Sequence, residues 1–421
     1  MKHITEEQID LIVDRLISRV EKANEYFLRK IGTSIQAIRK LTPTEAHQLV
    51  QILKYGDSYE EIIEKISEYT NLNIKDIDKI FEEYAKEDQS FYKQFYNYKD
   101  VPYVEYSQND VLKRQTEALA NVTKNEMYNF SRANVIGYTI SNLDGTTSFL
   151  GLRETYNRLL DDALLTVSQG KETFDSAMTR IMKDVGSSGL KTLEFESGRK
   201  MRLDSAIRMH LKGRLMELHS ENEQLYAKEF GADGVEISVH SFPAPDHAEV
   251  QGRQFSTNQY DEKGRLIKQG EWEKLQNGEE AKDYKGRVVQ IKHSKKGGYR
   301  PINEMNCYHK AFPIVLGVSK PEYNTEQLEE IAEKNDEGFD LDGKHYTKYE
   351  GTQLQRNLER KIREQKDIQI LAKSSGNSTL VSEAQLKITQ LTRKYRELSD
   401  VSGLPVRVDR MRVTGYKRAK A

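Results

Sequence analysis

The chain has 421 residues, which is enough for two or three domains. Charged residues make up 31% and hydrophobic residues 37%, with a mean hydropathy of -0.77, so part of the chain is expected in exposed helices or against partners. No apolar run approaches the roughly 20 residues of a membrane span. The charged N-terminus lacks the apolar segment of a signal peptide. A single cysteine excludes an internal disulfide and is consistent with synthesis in a cytoplasm.

The net charge of -1 hides a gradient along the chain. Residues 1–100 carry 15 basic and 19 acidic side chains, whereas residues 341–421 carry 18 basic and 9 acidic ones. A basic terminal segment indicates an anionic neighbour, such as nucleic acid or an acidic protein surface. A solvated helix face is the other interpretation, and composition does not decide between them.

The first hundred residues are predicted to form an N-terminal helical module. Apolar residues recur at helical spacing over 5–31, and further helices are predicted to begin at Thr42, Ser58 and Asn73. We interpret the apolar stripes as core, with a docking face for a partner as the alternative.

Residues 101–190 are predicted to be a helical middle that includes an aromatic connector. Aromatic residues are dense from Tyr84 to Tyr106, where interleaved lysines would permit stacking on nucleic acid. Acidic neighbours favour a packed connector or contact arm instead. Helical patterns then continue with breaks at Gly137 and Gly170.

Residues 191–321 are predicted to be an α+β core with a polar insertion. A short hairpin leads into a helix that Asp204 can cap and Gly231 can close. Val235, Ile237 and Val239 then alternate with polar residues, which is typical of a half-buried strand. We therefore expect an α+β protein that is predominantly helical, with a small sheet-bearing domain in its second half.

The densest ligand-type chemistry lies at the two edges of that insertion. His240, His247, Cys307 and His309 can complete a tetrahedral zinc site. The alternative is a hydrogen-bonded polar cluster in which Asp246 orients a histidine and the cysteine packs as a small hydrophobe. The spacing is not that of a zinc finger or ribbon, and no nucleophile elbow accompanies the cysteine, so a hydrolase is disfavoured.

Residues 322–421 are predicted to be a basic helical C-terminal segment, with helices over 352–373 and 383–398 and a short strand near its end. Helix-spaced cations with few compensating acids indicate salt-dependent, sequence-neutral phosphate contacts or an acidic protein surface. The cations predicted to bind DNA or a partner protein are Arg356, Arg360, Lys361, Arg363, Lys394 and Arg396.

Five blocks of this sequence stand out when taken together and in order. They are TPTEAHQLVQILKYGDSYEEIIEKI, RKMRLDSAIRMHLKGRLMELHSENEQLYAKEFGADGVEISVHSFPAPDHAEVQGRQFS, NCYHKAFPIVLGVSKP, YTKYEGTQLQRNLERKIREQK and GLPVRVDRMRVTGYK. As a set they resemble the phage minor capsid protein 2 family, which is related to Mu-type head-morphogenesis proteins. The sequence departs from the family pattern at Val250, where a tryptophan is usual, and over 242–245, where a Gly/Ala-Arg-Pro run is usual.

The resemblance implies a structural, non-enzymatic virion protein of the phage head, made in the host cytoplasm and associated with the portal vertex. It implies a role in head assembly and in DNA packaging or ejection, with the portal protein as partner. Major capsid or scaffold proteins and packaged DNA are further expected partners, and no membrane is involved. Some relatives carry an extra toxin domain, for which this chain is expected to leave no room.

Two other classes of function stay open from the sequence. One is a DNA-binding internal head protein that is ejected with the genome. The other is a metal-dependent or ADP-ribosyltransferase-like enzyme. No cofactor is expected apart from zinc at the His/Cys cluster.

Overall fold

The fold is α+β and predominantly helical, as the sequence predicts. The computed structural model describes residues 6–55, 58–99, 102–130, 136–142, 145–169, 174–193, 200–291, 300–302, 307 and 309–419. Its helices, in chain order, are α1 Glu6–Arg39, α2 Pro43–Tyr55, α3 Ser58–Lys99, α4 Asp110–Phe130, α5 Leu152–Gln169, α6 Phe174–Ser188, α7 Leu203–Phe230, α8 Glu271–Gln276, α9 Thr325–Glu337, α10 Lys348–Ser374 and α11 Ser378–Ser402.

The strands are short and all their described pairings are antiparallel. One sheet has the order β2-β1-β3-β4, another has the order β11-β5-β6, and three further pairs are two-stranded. The strands are β1 Ile136–Ser141, β2 Thr147–Gly151, β3 Lys191–Leu193, β4 Lys200–Arg202, β5 Gly234–Ile237, β6 Gln254–Ser256, β7 Gln259–Tyr260, β8 Leu266–Lys268, β9 Ala281–Lys282, β10 Val288–Val289, β11 Ala311–Ile314, β12 Phe339–Leu341 and β13 Lys344–Tyr346.

The residues fall into two compact units, each assembled from three separate segments. The first unit comprises 1–13, 77–123 and 209–351, and the second comprises 14–76, 124–208 and 352–421. The four consecutive segments predicted from the sequence (1–100, 101–190, 191–321 and 322–421) stay a prediction about how the chain is divided.

Helix starts follow local capping chemistry. At the start of α2 the Thr42 backbone N–H donates to the Glu45 carboxylate (2.9 Å), and the Glu45 N–H donates back to the Thr42 hydroxyl (3.4 Å). The predicted helix start at Asn73 is wrong, because α3 runs through it. No glycine or proline interrupts the chain from Ser58 to Lys99, so a capping residue alone does not end the helix.

A β-hairpin replaces the predicted helical break at Gly137. Ile136, Tyr138 and Ile140 are buried at the alternating spacing of a strand, and β1 pairs with β2 from Gly137 opposite Gly151 to Ser141 opposite Thr147. The strand is only six residues long, so its period of two was hidden between two longer helical patterns. The hairpin predicted before α7 is confirmed as β3 and β4.

The aromatic connector is packed core of the first unit. Tyr92 and Tyr96 of α3 are buried with Tyr226 of α7, and the Tyr92 and Tyr226 ring centroids are 4.4 Å apart. Phe312 of β11 packs against the same cluster. The described rings thus pack against other side chains of the protein, and the interpretation as a packed connector is confirmed for them.

A second core of the first unit lies under the small sheet. It contains Val235, Ile237 and Phe255 from the strands, with Cys307 among its buried members. In the second unit α10 and α11 pack through Ile362 and Tyr395, together with Met411. The strand predicted near the chain end is wrong for the described residues up to 419, where 404–407 form no strand and a 3-10 helix, Asp409–Met411, follows.

No described helix is both long enough and apolar enough to cross a membrane.

We expect Gly137→Ala to lower the free energy of unfolding by at least about 2 kcal/mol, because packing an extra carbon into a filled site forces backbone shifts. A methyl group there would lie 1.9 Å from the Leu150 carbonyl oxygen. Gly151→Ala is the matched control, since its methyl group would meet only the Glu154 carboxylate at 3.9 Å. Thermal melting of both variants checks this, and equal losses would contradict the hairpin geometry.

Candidate functional site

Strand pairing brings the two edges of the polar insertion together in the first unit. Beyond the β5–β11 pairing, the Ser238 N–H donates to the Lys310 carbonyl (2.8 Å), and the Lys310 N–H donates to the Ser238 hydroxyl (2.8 Å). Cys307 and His309 therefore lie just before β11 rather than on it. His247 reaches them from a turn that follows β5, because the His247 N–H donates to the Ala244 carbonyl (2.9 Å).

Three of the four predicted zinc ligands converge. The Cys307 Sγ atom lies 3.5 Å from His247 Nδ1 and 3.7 Å from His309 Nδ1. All three side chains are buried, and their ligand atoms lie within 4.8 Å of one another. These residues are 60 and 2 positions apart in sequence, so only the folded chain makes the cluster.

The Nε2 nitrogen of each histidine, which faces away from the sulfur, is fixed by a neighbouring oxygen acceptor. His247 Nε2–H donates to the Arg300 carbonyl oxygen (2.7 Å). The Gln251 side-chain atom at this position accepts from the His240 backbone N–H (3.0 Å), so it is the oxygen of the amide. An oxygen can only accept, so His309 Nε2–H donates to it (3.3 Å). Both neutral rings therefore present an unprotonated Nδ1 toward the sulfur.

Burial keeps both rings in the form that can bind a metal. It lowers the pKa of His309 well below its usual value, with added repulsion from His240 and His247. It also lowers the pKa of His247, although the Arg300 carbonyl opposes this shift. Uncharged imidazole is the form of histidine that ligates metals.

His240 and Asp246 lie beside the cluster but outside the converging set. The His240 ring stands edge-to-face with the His309 ring, with centroids 4.5 Å apart. Asp246 is 4.0 Å from His247 Nε2, which is too long for a hydrogen bond. Asp246 instead accepts two bonds from the Arg300 guanidinium (3.0 and 3.1 Å), so it positions the residue whose carbonyl holds His247. That Asp246 orients a histidine stays a prediction, and the route that the contacts offer runs through Arg300.

A second buried polar cluster of the first unit was missed from the sequence. His219 Nδ1 lies 2.9 Å from an Asp88 carboxylate oxygen, and its Nε2 lies 3.3 Å from Glu223. Asn222 donates to the other Asp88 oxygen (3.1 Å). The spacing of His219 and Glu223, one helical turn apart on α7, was a weak signal for this pair. Asp88 comes from α3, and nothing in the sequence linked it to α7.

Lys310 supplies a cation for those acids. Burial lowers the pKa of Lys310 to about 8, against the opposing pull of Asp88 and Glu223. Burial and the neighbouring Asp88 raise the pKa of Glu223 well above its usual value. Lys310 is thus a cation of the protein that acts on both buried acids.

The predicted DNA or partner cations lie on α10 and α11 of the second unit, and most are exposed. Arg356, Arg360, Lys361, Lys394 and Arg396 are exposed. Arg360 lies 3.9 Å from Glu364. Four other cations have no carboxylate of the described residues within salt-bridge distance. We call them the free cationic group, and they are Arg356, Arg393, Lys394 and Arg396.

A groove of about 880 Å³ runs beside α11 in the second unit. Its lining includes the cations Lys366, Arg393, Arg396 and Arg418 and the acids Glu397 and Asp400. The charged side chains of the groove therefore carry an excess of positive charge.

Arg363 has a different role from the other predicted cations. Its guanidinium donates to the buried Asp204 carboxylate, which also accepts from Arg202 (3.3 Å). Arg202 in turn donates to the fully buried Asp367 (3.2 Å). We call Arg202, Asp204, Arg363 and Asp367 the ionic network.

The ionic network also explains what Asp204 does. Burial alone would raise the pKa of Asp204, but the guanidiniums of Arg202 and Arg363 more than offset it and hold the pKa below its usual value. Asp204 lies inside α7, which begins at Leu203, and its side chain is engaged by these arginines. Its expected role as a simple helix cap is therefore incomplete.

The ionic network extends into the first helix and the missed hairpin. The Asn24 side-chain amide of α1 donates to Asp367 (3.1 Å), and the Tyr138 hydroxyl of β1 donates to the Asn24 side-chain oxygen (2.9 Å). Asp367 thus accepts from two sides, yet burial still raises its pKa to about 6.

Comparison with known proteins identifies the chain. A family model described as Phage minor capsid protein 2 matches residues 4–400, nearly the whole chain. This match places the chain among the structural proteins of phage virions. It belongs to the phage minor capsid protein 2 family, as the resemblance of its sequence blocks indicates. No curated protein matches the chain, and no solved structure does.

We expect Arg363→Gln to lower the free energy of unfolding by about 2 kcal/mol, because breaking a buried ion pair leaves a charge uncompensated. Arg360→Gln is the matched control three residues earlier on α10. Its side chain is 57% exposed, so the change should cost less than about 0.5 kcal/mol. Denaturant unfolding of the two variants measures both costs. A larger loss for Arg360→Gln would contradict the placement of Arg363 in the ionic network.

We expect the stability of the wild type relative to Asp367→Asn to rise as pH falls from 7 to 4.5. The folded-state pKa of Asp367 is about 6, against an ordinary value of 3.8, so in this window the folded state binds more protons than the unfolded state. The shift between the two proteins should be at most about 3 kcal/mol. Unfolding curves at several pH values measure it, and a difference that stays flat or moves toward the variant would refute the raised pKa.

Proposed function

We propose that this structural virion protein sits at the portal vertex of the phage head, where it aids head assembly and DNA packaging or ejection. Membership of the minor capsid family supports the virion context. The observation that carries the finer proposal is the free cationic group on α10 and α11, which suits an anionic neighbour inside the head.

Two of the four acids of α10 are buried, which leaves its exposed cations with few acids beside them. Glu359 is buried and accepts a hydrogen bond from the Tyr395 hydroxyl of α11 (2.9 Å). Asp367 is buried in the ionic network. The cations Arg356 and Lys361 of the same helix point to solvent. The exposed residues of α10 and α11 therefore carry an excess of positive charge.

The portal protein is the partner that we propose for this face. A protein that builds the head must be held in place by another head protein, and an acidic surface would pair with these exposed guanidinium groups. Such pairing mainly sets orientation and the rate of association.

DNA is a second candidate, favoured by the same charges. Four unpaired cations over two helices can contact phosphates without reading sequence, and each phosphate contact adds salt dependence. This candidate corresponds to an internal head protein that binds the genome and is ejected with it.

We expect the fourfold change Arg356→Glu, Arg393→Glu, Lys394→Glu and Arg396→Glu to abolish co-purification with the portal oligomer at physiological salt, since like charges repel across an interface. The matched control reverses four exposed lysines of the first unit, Lys263, Lys268, Lys282 and Lys320, and should bind as the wild type does.

The same two variants separate the portal from DNA. The DNA candidate would replace the portal proposal if the wild type does not bind portal but binds DNA of any sequence. In that case the slope of log binding constant against log salt concentration should fall in magnitude by about 3 to 4 in the fourfold variant. Equal portal binding by both charge-reversed variants would contradict a role for the α10–α11 face.

A further inference from the structure

We infer that Cys307, His247 and His309 bind one zinc ion, which clips the two edges of the polar insertion together. The inference concerns the first unit alone and does not depend on the proposed partner of the basic face. It rests on hydrogen-bond accounting, on distances and on the surroundings of the three side chains.

The Cys307 thiol has too few protons for the two histidine nitrogens that face it. Both histidines are fixed by their Nε2–H bonds, so both present an acceptor Nδ1 to Cys307. A neutral thiol has a single proton and can donate to only one of these nitrogens. A buried acceptor without a donor is costly, whereas a cation between the three atoms satisfies both nitrogens and the sulfur together.

The distances match those of a tetrahedral zinc centre. Zinc binds sulfur at about 2.3 Å and imidazole nitrogen at about 2.0 Å, so two such ligands at a tetrahedral angle stand about 3.5 Å apart. The Sγ–Nδ1 separations are 3.5 Å to His247 and 3.7 Å to His309. Neither sulfur–nitrogen pair needs much movement to close on an ion. Binding would convert the thiol to thiolate and release its proton to solvent.

The surroundings are those that support metal-bound histidines. Each ligating ring in such sites typically donates its other N–H to a carbonyl or carboxylate, which fixes its orientation. Here the acceptors are the Arg300 carbonyl and the Gln251 side chain. Asp246 holds the Arg300 guanidinium through two bonds, so His247 is braced by a residue that is itself anchored.

A bound zinc ion would act as a cross-link in the first unit. His247 and Cys307 are 60 residues apart, and the chain between them includes the hairpins β7–β8 and β9–β10. A metal link between the ends of this segment restricts the unfolded ensemble, as a cross-link does. His240 stands beside His309 and remains the predicted fourth ligand.

Metal content of the full chain tests the inference. Protein purified in the presence of zinc and then dialysed should retain about one zinc per chain by elemental analysis. Replacement with Co²⁺ should give the charge-transfer absorption of a thiolate–cobalt bond. Cys307→Ser should lose this absorption and most of the zinc, and His309→Gln should lose most of the zinc.

Two matched controls keep the result specific. His345→Gln removes an exposed histidine that pairs with Asp340, and Glu223→Gln alters the other buried cluster. Both should keep one zinc per chain. A chelator should lower the melting temperature of the wild type and leave that of Cys307→Ala unchanged.

The wild-type measurements decide even where a variant fails to fold. Wild-type protein without bound zinc, or with zinc but no thiolate–cobalt absorption, overturns the inference. Zinc that persists in Cys307→Ser, or that is lost in Glu223→Gln, also overturns it.

Discussion

The pairing of Arg202 with two buried carboxylates is the interaction on which the second unit depends. Its guanidinium donates to Asp204 and to Asp367, which come from α7 and α10. Asn24 and Tyr138 extend the same contacts to α1 and β1. A guanidinium has several donors in a fixed plane, so it can join acids from different elements. Elements far apart in sequence are thus held by groups that would be costly to bury alone.

The same interaction shapes the outer surface. The buried acids Asp367 and Glu359 of α10 are matched by Arg202 and Tyr395, and several cations of the helix face solvent. Arg363 and Lys366 do not, since Arg363 pairs with Asp204 and the half-buried Lys366 donates to the Met411 carbonyl. The ionic network and the exposed cations therefore use neighbouring residues of one helix, and the position of each cation around the helix decides whether it is buried or exposed. The proposed binding face would consist of the cations that the core does not use.

The sequence predicted what local chemistry determines. Periodicity and capping located most helices, and the alternation at Val235 located the central strand. The concentration of ligand-type residues at the two edges of the polar insertion singled out His240, His247, Cys307 and His309, and the fold brings the last three together. The features that it missed depend on partners distant in sequence. Asp88 contacts His219 only once α3 packs on α7. Arg363 cannot be distinguished in the sequence from its exposed neighbours, because its partner Asp204 lies far away in the chain. Charge counts carry no information on which side of a helix faces the core.

Amine cross-linking of intact phage particles, read by mass spectrometry, tests most directly whether the α10–α11 face meets another head component. Lys361, Lys387 and Lys394 lie exposed on this face, and Lys263 and Lys320 lie exposed in the first unit. The account predicts that the first three lysines cross-link to the portal protein. Portal cross-links that come only from Lys263 and Lys320, or none from this chain to any head protein, would contradict it.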